Sequence, residues 1–154
     1  METLEFKIRI KAHPDQVWSV LWNDETYRKW AGVFYEGSYA VSDWNEGGKI
    51  HFLGPNGGGM SSKIEKKIPN EYMAFKHLGE VKDFKELPND EEAEKWSGAM
   101  ETYRLTPDDE FTDLVVQVDV VEKHIDYFKD AFPKALEVVK KLSEEKEEKI
   151  IEER

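Results

Sequence analysis

Residues 125–149 read IDYFKDAFPKALEVVKKLSEEKEEK, and apolar side chains recur in this run at steps of three and four residues. That spacing places them on one stripe of an α-helix. We expect Pro133 to kink the helix, because proline lacks the amide donor that an interior position needs. The charged side chains point away from the stripe, so the run predicts a long helix with one buried face. The stripe consists of Ile125, Phe128, Phe132, Ala135, Leu136, Val139 and Leu142.

The middle of the chain provides the surface that this helix needs. It contains short segments in which apolar and polar residues alternate, a pattern typical of antiparallel strands with one buried face. An apolar helix stripe and an apolar sheet face bury each other. The sequence therefore predicts an α+β fold in which an antiparallel sheet grips the terminal helix. The predicted strands are residues 4–10, 35–41, 49–53, 60–68, 72–78, 99–105 and 111–121.

Two short helices are predicted between the first two strands. Pro14 and Asp15 suit the start of the first helix, because proline needs no amide partner there and a carboxylate is favoured at the positive helix end. The second is expected over Glu25–Trp30, with Asn23 and Asp24 as its cap.

Two charged segments are predicted to lie outside the regular elements. Residues 79–95 are rich in acidic side chains and are interrupted by Pro88. We expect a long solvated loop that ends in a helical turn; a lid, a docking segment and a plain insertion are its alternative roles. Residues 143–154 are nearly all charged and are expected to fray.

Composition limits the classes of function. A chain of 154 residues predicts a single domain, residues 1–154. The net charge of −11 repels phosphate backbones, so neither nucleic acid nor an anionic membrane is expected as a partner. The chain has no cysteine, no export signal and no run of about 18 apolar residues, so we expect a cytoplasmic protein without membrane insertion. The oligomeric state stays open.

Several short motifs, taken in their order, resemble the START-like (SRPBCC) superfamily. The similarity is greatest to the branch named for the C-terminal domain of the activator of the heat-shock protein 90 ATPase. It implies a helix-grip fold, in which a curved antiparallel sheet wraps the C-terminal helix and leaves an apolar cavity. It implies little about chemistry, because one scaffold hosts many functions. The motifs are IKAHPDQVW (10–18), YRKW (27–30), EGGK (46–49), IPNEY (68–72), WSG (96–98) and PKAL (133–136).

The implied fold predicts which side chains line the cavity. Alternation places Met73, Phe75 and His77 on one strand face and Glu101 and Tyr103 on the same face of a neighbouring strand. The alternative is that these side chains fill a solid core. The predicted lining, with the two tryptophans near the rim, is Trp30, Trp44, Ile50, Phe52, Met73, Phe75, His77, Glu101, Tyr103, Phe128 and Phe132.

The polar residues of this set, His77, Glu101 and Tyr103, have three possible roles. An inward carboxylate needs a partner, and the His77 imidazole or the Tyr103 hydroxyl would supply one for Glu101. The pair could be structural, could recognise a polar group of a ligand, or could exchange protons. We assign no catalytic residue and expect no metal or cofactor, because the histidines never stand four apart on a helix. The phosphate-loop spacing of Gly54 and Gly59 lacks its lysine, so a hairpin turn is predicted there.

The sequence favours the binding of a small apolar or amphipathic molecule, such as a lipid, between the sheet and the terminal helix. One alternative is a cochaperone-like module that stimulates a chaperone ATPase. A lone domain without a basic docking patch departs from that pattern. The other alternative is a small cavity enzyme, a hydrolase, cyclase or lyase that uses His77 and Glu101; whether a reaction is catalysed stays open, with binding favoured.

Overall fold

A computed structural model describes residues 1–153, and the elements follow one another with short connections. The strands are β1 (Glu2–Ile10), β2 (Tyr39–Ser42), β3 (Lys49–Leu53), β4 (Gly59–Ile68), β5 (Tyr72–Lys82), β6 (Lys85–Glu86), β7 (Met100–Asp108) and β8 (Phe111–Val120). The helices are α1 (Pro14–Trp22), α2 (Asp24–Ala31), α3 (Glu91–Glu94) and α4 (Ile125–Glu152), with a 3-10 turn at Glu122–His124 before α4.

One antiparallel sheet holds all the strands of the described chain. Its order is β1-β8-β7-β5-β4-β3-β2, and the short β6 pairs with the end of β5. Helix α4 packs against β1 at one edge of the sheet and against α1 and α2, which close the other side of the helix. The curved sheet therefore grips α4, and the α+β helix-grip prediction is confirmed.

Helix α4 buries the stripe that its spacing predicted. Ala135 and Val139 are fully buried, and the Phe132 ring stacks on Phe6 of β1 with the ring centroids 4.8 Å apart. Pro133 lies inside the helix, which continues on both sides of it. The apolar stripe is thus what attaches the helix to the sheet.

The end of α4 differs from the expectation for residues 143–154. The helix runs to Glu152, slightly past the predicted end near residue 149, and Ser143 and Glu147 in the segment expected to fray are buried. The Glu147 carboxylate contacts His13 Nδ1 at the start of α1, and Lys146 Nζ donates to Ser19 Oγ at 2.6 Å. These polar contacts with α1 explain why a charged segment is helical here.

The acidic segment 79–95 is also more ordered than predicted. Strand β5 extends to Lys82, because Val81 is buried and pairs with Gly59 of β4. A tight hairpin leads into β6, and the predicted helical turn is present as α3. Strand β2 begins at Tyr39 and not at residue 35, because residues 32–38 form turns after α2.

The solid part of the core lies where α1 crosses the sheet. Val17, Val20 and Leu21 are buried, as their spacing predicted. The Trp22 ring stands edge-on to Phe75 and Tyr103, with centroids 5.2 Å and 4.9 Å away. This helix therefore fills one half of the space between sheet and α4. No helix within residues 1–153 has the length and apolar character that crossing a membrane requires.

Candidate ligand-binding pocket

The other half of that space is hollow. A pocket of about 650 Å³ lies between the sheet and α4 and opens to solvent. Trp30 of α2, Phe52 of β3, Val118 of β8 and Phe132 of α4 contribute its walls. Small-molecule sites typically have volumes of roughly 300–1,000 Å³, so the pocket has the size of such a site.

Aromatic side chains form most of the wall. The Phe34 ring stands edge-on to Phe132 at a centroid distance of 4.7 Å, and the Tyr127 hydroxyl donates to the Phe34 carbonyl. That bond ties the start of α4 to the turns after α2, across the pocket mouth. The aromatic members of the wall are Tyr27, Trp30, Phe34, Tyr35, Tyr39, Phe52, Trp96, Tyr127, Phe128 and Phe132.

A chain of polar groups lies at the pocket floor. His77 Nε2 of β5 lies 3.0 Å from Glu101 Oε1 of β7, and the Tyr103 hydroxyl donates to Glu101 Oε2. On the far side of the ring, His77 Nδ1 lies 2.7 Å from Ser62 Oγ of β4. The His77 backbone is held by its own bond, since His77 N donates to the Ala99 carbonyl at 2.8 Å. Both ring nitrogens of His77 are therefore used by the protein.

The charge of Glu101 follows from these contacts. Burial alone would raise the pKa of Glu101, but the hydrogen bond and the charge of His77 and the hydrogen bond from Tyr103 lower this pKa below its ordinary value of 4.5. The floor of the pocket is therefore an ionised carboxylate at neutral pH. Its side chain is 22% exposed.

The two tyrosines near this carboxylate keep their protons. Burial raises the pKa of Tyr27, and the negative charge of Glu101 adds to that effect. The pKa of Tyr103 is raised by the same two causes. Tyr27 lines the pocket, whereas Tyr103 reaches it only through its bond to Glu101. Both hydroxyls are therefore protonated and able to donate a hydrogen bond.

The structure brings six of the eleven predicted residues to the pocket. These are Trp30, Phe52, His77, Glu101, Phe128 and Phe132. The remaining five do not line the wall: Ile50, Met73, Phe75 and Tyr103 are fully buried in the core, and Trp44 is partly buried and packs against the core. Trp22 covers Phe75 and Tyr103 from α1, and the Trp44 ring packs against Trp22 at 5.9 Å, away from the rim.

Several lining residues lie outside the predicted set. Trp96 follows α3 and lines the pocket, and its place in the WSG motif is the only signal that the sequence carries for it. Val118 and Val120 line it from β8, as their alternation would have indicated. Ser62 stands opposite His77 in the β4–β5 register, so it becomes evident only once the strands are paired.

The glycine-rich segment between β3 and β4 forms part of the rim. Gly54 N donates to the Gly58 carbonyl at 2.8 Å, which makes this segment the predicted hairpin turn. Within residues 1–153, no group of three or more His, Cys, Asp or Glu side chains is arranged to hold a metal ion.

A curved antiparallel sheet that grips a C-terminal helix defines a START-like protein of the helix-grip class, a fold suited to ligand binding. Within that class the chain belongs to the Activator of Hsp90 ATPase homolog 1-like protein family, whose profile matches residues 11–144. No curated protein matches the chain.

Solved structures share the fold over almost the whole chain. The Aha1 dimer from Colwellia psychrerythraea has a TM-score of 0.71 and 22% identity, covering 94% of this chain and 97% of that one. Protein MLL2253 from Mesorhizobium loti has a TM-score of 0.71 and 15% identity, covering 92% and 96%. CalU16 from Micromonospora echinospora has a TM-score of 0.65 and 16% identity, covering 98% and 82%. Similarity at these identities shows the fold alone.

Proposed function

We propose that the protein binds one small, largely apolar or amphipathic molecule in the pocket between the sheet and α4. The observation that carries this proposal is a hollow of about 650 Å³ with an aromatic wall and a few polar groups at one point of its floor. Small-molecule sites commonly combine an apolar lining with a few orienting polar groups. We place this function in a single domain, residues 1–154.

The affinity would come mainly from the removal of apolar ligand surface from water. That transfer contributes about 25 cal/mol for each Å² buried. Part of this gain is lost to the ordering of ligand and protein on association. His77 and Glu101 would orient the polar end of the ligand, because they are the convergent hydrogen-bonding groups at the floor.

Native mass spectrometry and solvent extraction of freshly purified protein test the proposal directly. We expect an additional mass on the folded protein, and the same molecule in the extract of that preparation. A second arm titrates the extracted protein with Nile red, an uncharged apolar dye whose fluorescence rises in apolar surroundings. The proposal would be contradicted if the protein retained no molecule and also showed no saturable dye binding.

A pair of substitutions on one strand locates the binding. Val118 of β8 lines the pocket and is 4% exposed, whereas its neighbour Gln117 is exposed on the opposite sheet face. Val118→Phe should fill part of the hollow and weaken Nile red binding about tenfold or more. Gln117→Phe adds the same ring outside and should leave the affinity unchanged. Equal affinities in the two folded variants would place the dye elsewhere.

The family membership favours a second candidate, stimulation of a chaperone ATPase. The matched profile carries the name of an Hsp90 ATPase activator homologue and covers most of the chain. An ATPase assay with purified Hsp90 tests this candidate. Stimulation that saturates with added protein would support it, and unchanged turnover at a large excess of protein would exclude it for that chaperone.

The polar floor favours a third candidate, a small cavity enzyme. The 3.0 Å contact between His77 and Glu101 could exchange a proton with a bound ligand. Ser62 does not line the pocket, so its hydroxyl is placed to fix the imidazole and not to attack a ligand. Incubation of the extracted ligand with protein tests the candidate: a new product that His77→Gln abolishes would support it, and an unaltered ligand would not.

A further inference from the structure

The charged groups around the pocket are unevenly distributed. Two carboxylates, Glu101 and Asp119, line it, together with the imidazoles of His77 and His124. Within residues 1–153, neither lysine nor arginine contributes to the lining. A bound carboxylate or phosphate would therefore meet two carboxylates and no lysine or arginine, while the imidazole at the floor is already paired with Glu101.

The two carboxylates make the same number of hydrogen bonds to the protein, but to different partners. Asp119 accepts from Thr3 Oγ1 at 2.6 Å and from Met100 N at 2.9 Å, so each of its oxygens has a protein donor at the edge of the pocket. Glu101 accepts from His77 and Tyr103, one bond on each oxygen. A carboxylate oxygen has two acceptor positions, so both residues keep a free position on each oxygen. Glu101 is the one that shares the pocket floor with His77.

The Tyr27 hydroxyl adds a second polar group at this point. Its ring lines the pocket, and its hydroxyl has no hydrogen-bond partner in the part of the chain that the structure describes. The Tyr27 ring centroid lies 6.4 Å from that of Phe52, and the Phe52 centroid lies 5.8 Å from that of His77, so Tyr27 lies on the same side of the pocket as the polar floor. A ligand hydroxyl could donate to Glu101 and accept from Tyr27, and so satisfy both.

We propose that the preferred ligands are uncharged ring compounds that carry a hydroxyl group, and that the pocket rejects fatty acids and other anionic lipids. This inference rests on the proposed function and specifies its ligand class. The aromatic wall suits rings, because flat rings stack or meet edge-on with aromatic side chains. The hydroxyl would form a charge-assisted bond with Glu101, stronger than one to a neutral acceptor.

Three naphthalene compounds of one scaffold test this specificity by calorimetry at neutral pH. 2-Naphthol carries a hydroxyl donor, 2-methoxynaphthalene lacks the donor, and 2-naphthoate carries a negative charge. We expect 2-naphthol to bind about tenfold more tightly than 2-methoxynaphthalene, which is the difference that one charge-assisted hydrogen bond makes. We expect 2-naphthoate to bind most weakly.

Two variants assign this order to the pocket floor. Glu101→Gln removes the negative charge. It should reduce the difference in affinity between 2-naphthol and 2-methoxynaphthalene, and it should strengthen the binding of 2-naphthoate. Tyr27→Phe keeps the ring and should also narrow the preference for 2-naphthol. Tyr72→Phe is the matched control, because the Tyr72 ring lies under Arg104 outside the pocket, and it should keep the wild-type order. Thermal unfolding confirms that each variant folds.

The outcomes separate this inference from the function on which it rests. Equal affinities for the three compounds would overturn the ligand class but leave pocket binding in place. Tightest binding of 2-naphthoate would overturn it as well. If neither the three compounds nor Nile red bound to the protein, both proposals would be contradicted. Should Glu101→Gln not fold, Tyr27→Phe decides: an unchanged ratio of the affinities for 2-naphthol and 2-methoxynaphthalene in that variant overturns the inference.

Discussion

The Nε2 atom of His77 lies 3.0 Å from the Oε1 atom of Glu101, where β5 and β7 form the floor of the pocket. The two residues are diagonal neighbours in the sheet, since Glu101 pairs with Phe75 and His77 follows two residues later on the same face. Phe75 lies under Trp22 of α1, whereas His77 lines the pocket. The end of α1 thus separates the solid core from the polar floor.

The lowered pKa of Glu101 predicts a pH-dependent contribution to stability. Its pKa in the folded protein lies below the ordinary value of 4.5, so the folded state binds fewer protons between these two values. The contribution is complete above pH 4.5 and is lost as the pH falls through the folded-state pKa. The stability lost on Glu101→Gln should therefore shrink in acid.

Urea unfolding at several pH values measures this effect. Glu110→Gln, on the exposed β7–β8 turn, is the control for removal of a carboxylate and should differ little from the wild type at any pH. A constant difference between wild type and Glu101→Gln from pH 7 to pH 3 would mean that the carboxylate gains nothing from His77 and Tyr103.

Two phenylalanines of α4 should differ in their contribution to stability. Phe132 is 2% exposed and stacks on Phe6, so Phe132→Ala should cost about 3 kcal/mol. Phe128 is only partly buried, so Phe128→Ala should cost about 1.5 kcal/mol. Denaturant titration gives both values. Equal losses would indicate that Phe132 is not anchored to the sheet.

Two tryptophans should differ in their effect on ligand affinity. Trp96 lines the pocket, whereas Trp44 packs against Trp22 in the core. Trp96→Phe should weaken Nile red binding severalfold through the loss of contact area, and Trp44→Phe should not. Fluorescence titration of the two folded variants compares them. A larger loss of Nile red affinity in Trp44→Phe than in Trp96→Phe would indicate that Trp44 lies at the pocket rim, as the sequence analysis predicted.

The end of α4 should contribute to stability through its contacts with α1. Removal of residues 143–154 deletes the bonds of Glu144, Lys146 and Glu147 to Lys11 N, Ser19 and His13, and should cost about 2 kcal/mol. Removal of residues 151–154 is the control and should cost little, since Ile151 is exposed. A free energy of unfolding unchanged by the longer deletion would support the fraying that the sequence predicted.

The sequence predicted the fold well because its elements have strong periodic patterns. Strand Lys49–Leu53 has the predicted bounds, and the α4 stripe is buried as its three- and four-residue spacing required. The contacts of the end of α4 with α1 were not predicted, because the partners His13 and Ser19 are more than 100 residues away in sequence. A local pattern of charges contains no information about such contacts.

The pocket lining was harder to predict for a related reason. Alternation gives the face of a strand correctly, and Met73, Phe75 and His77 do share one. It does not tell which part of that face a helix covers. Trp22 of α1 covers Phe75, and only the tertiary placement of α1 leaves His77 at the hollow.

The methionine methyl groups provide the most direct test of the central claim, that a ligand occupies the space between sheet and α4. Met60 and Met100 line the pocket, Met73 is fully buried in the core, and Met1 is exposed just before β1. With methyl-labelled protein and saturating 2-naphthol, nuclear Overhauser effects from the ligand should reach Met60 and Met100 but not Met1 or Met73. Contacts to Met1 alone, or to no methionine, would contradict the account.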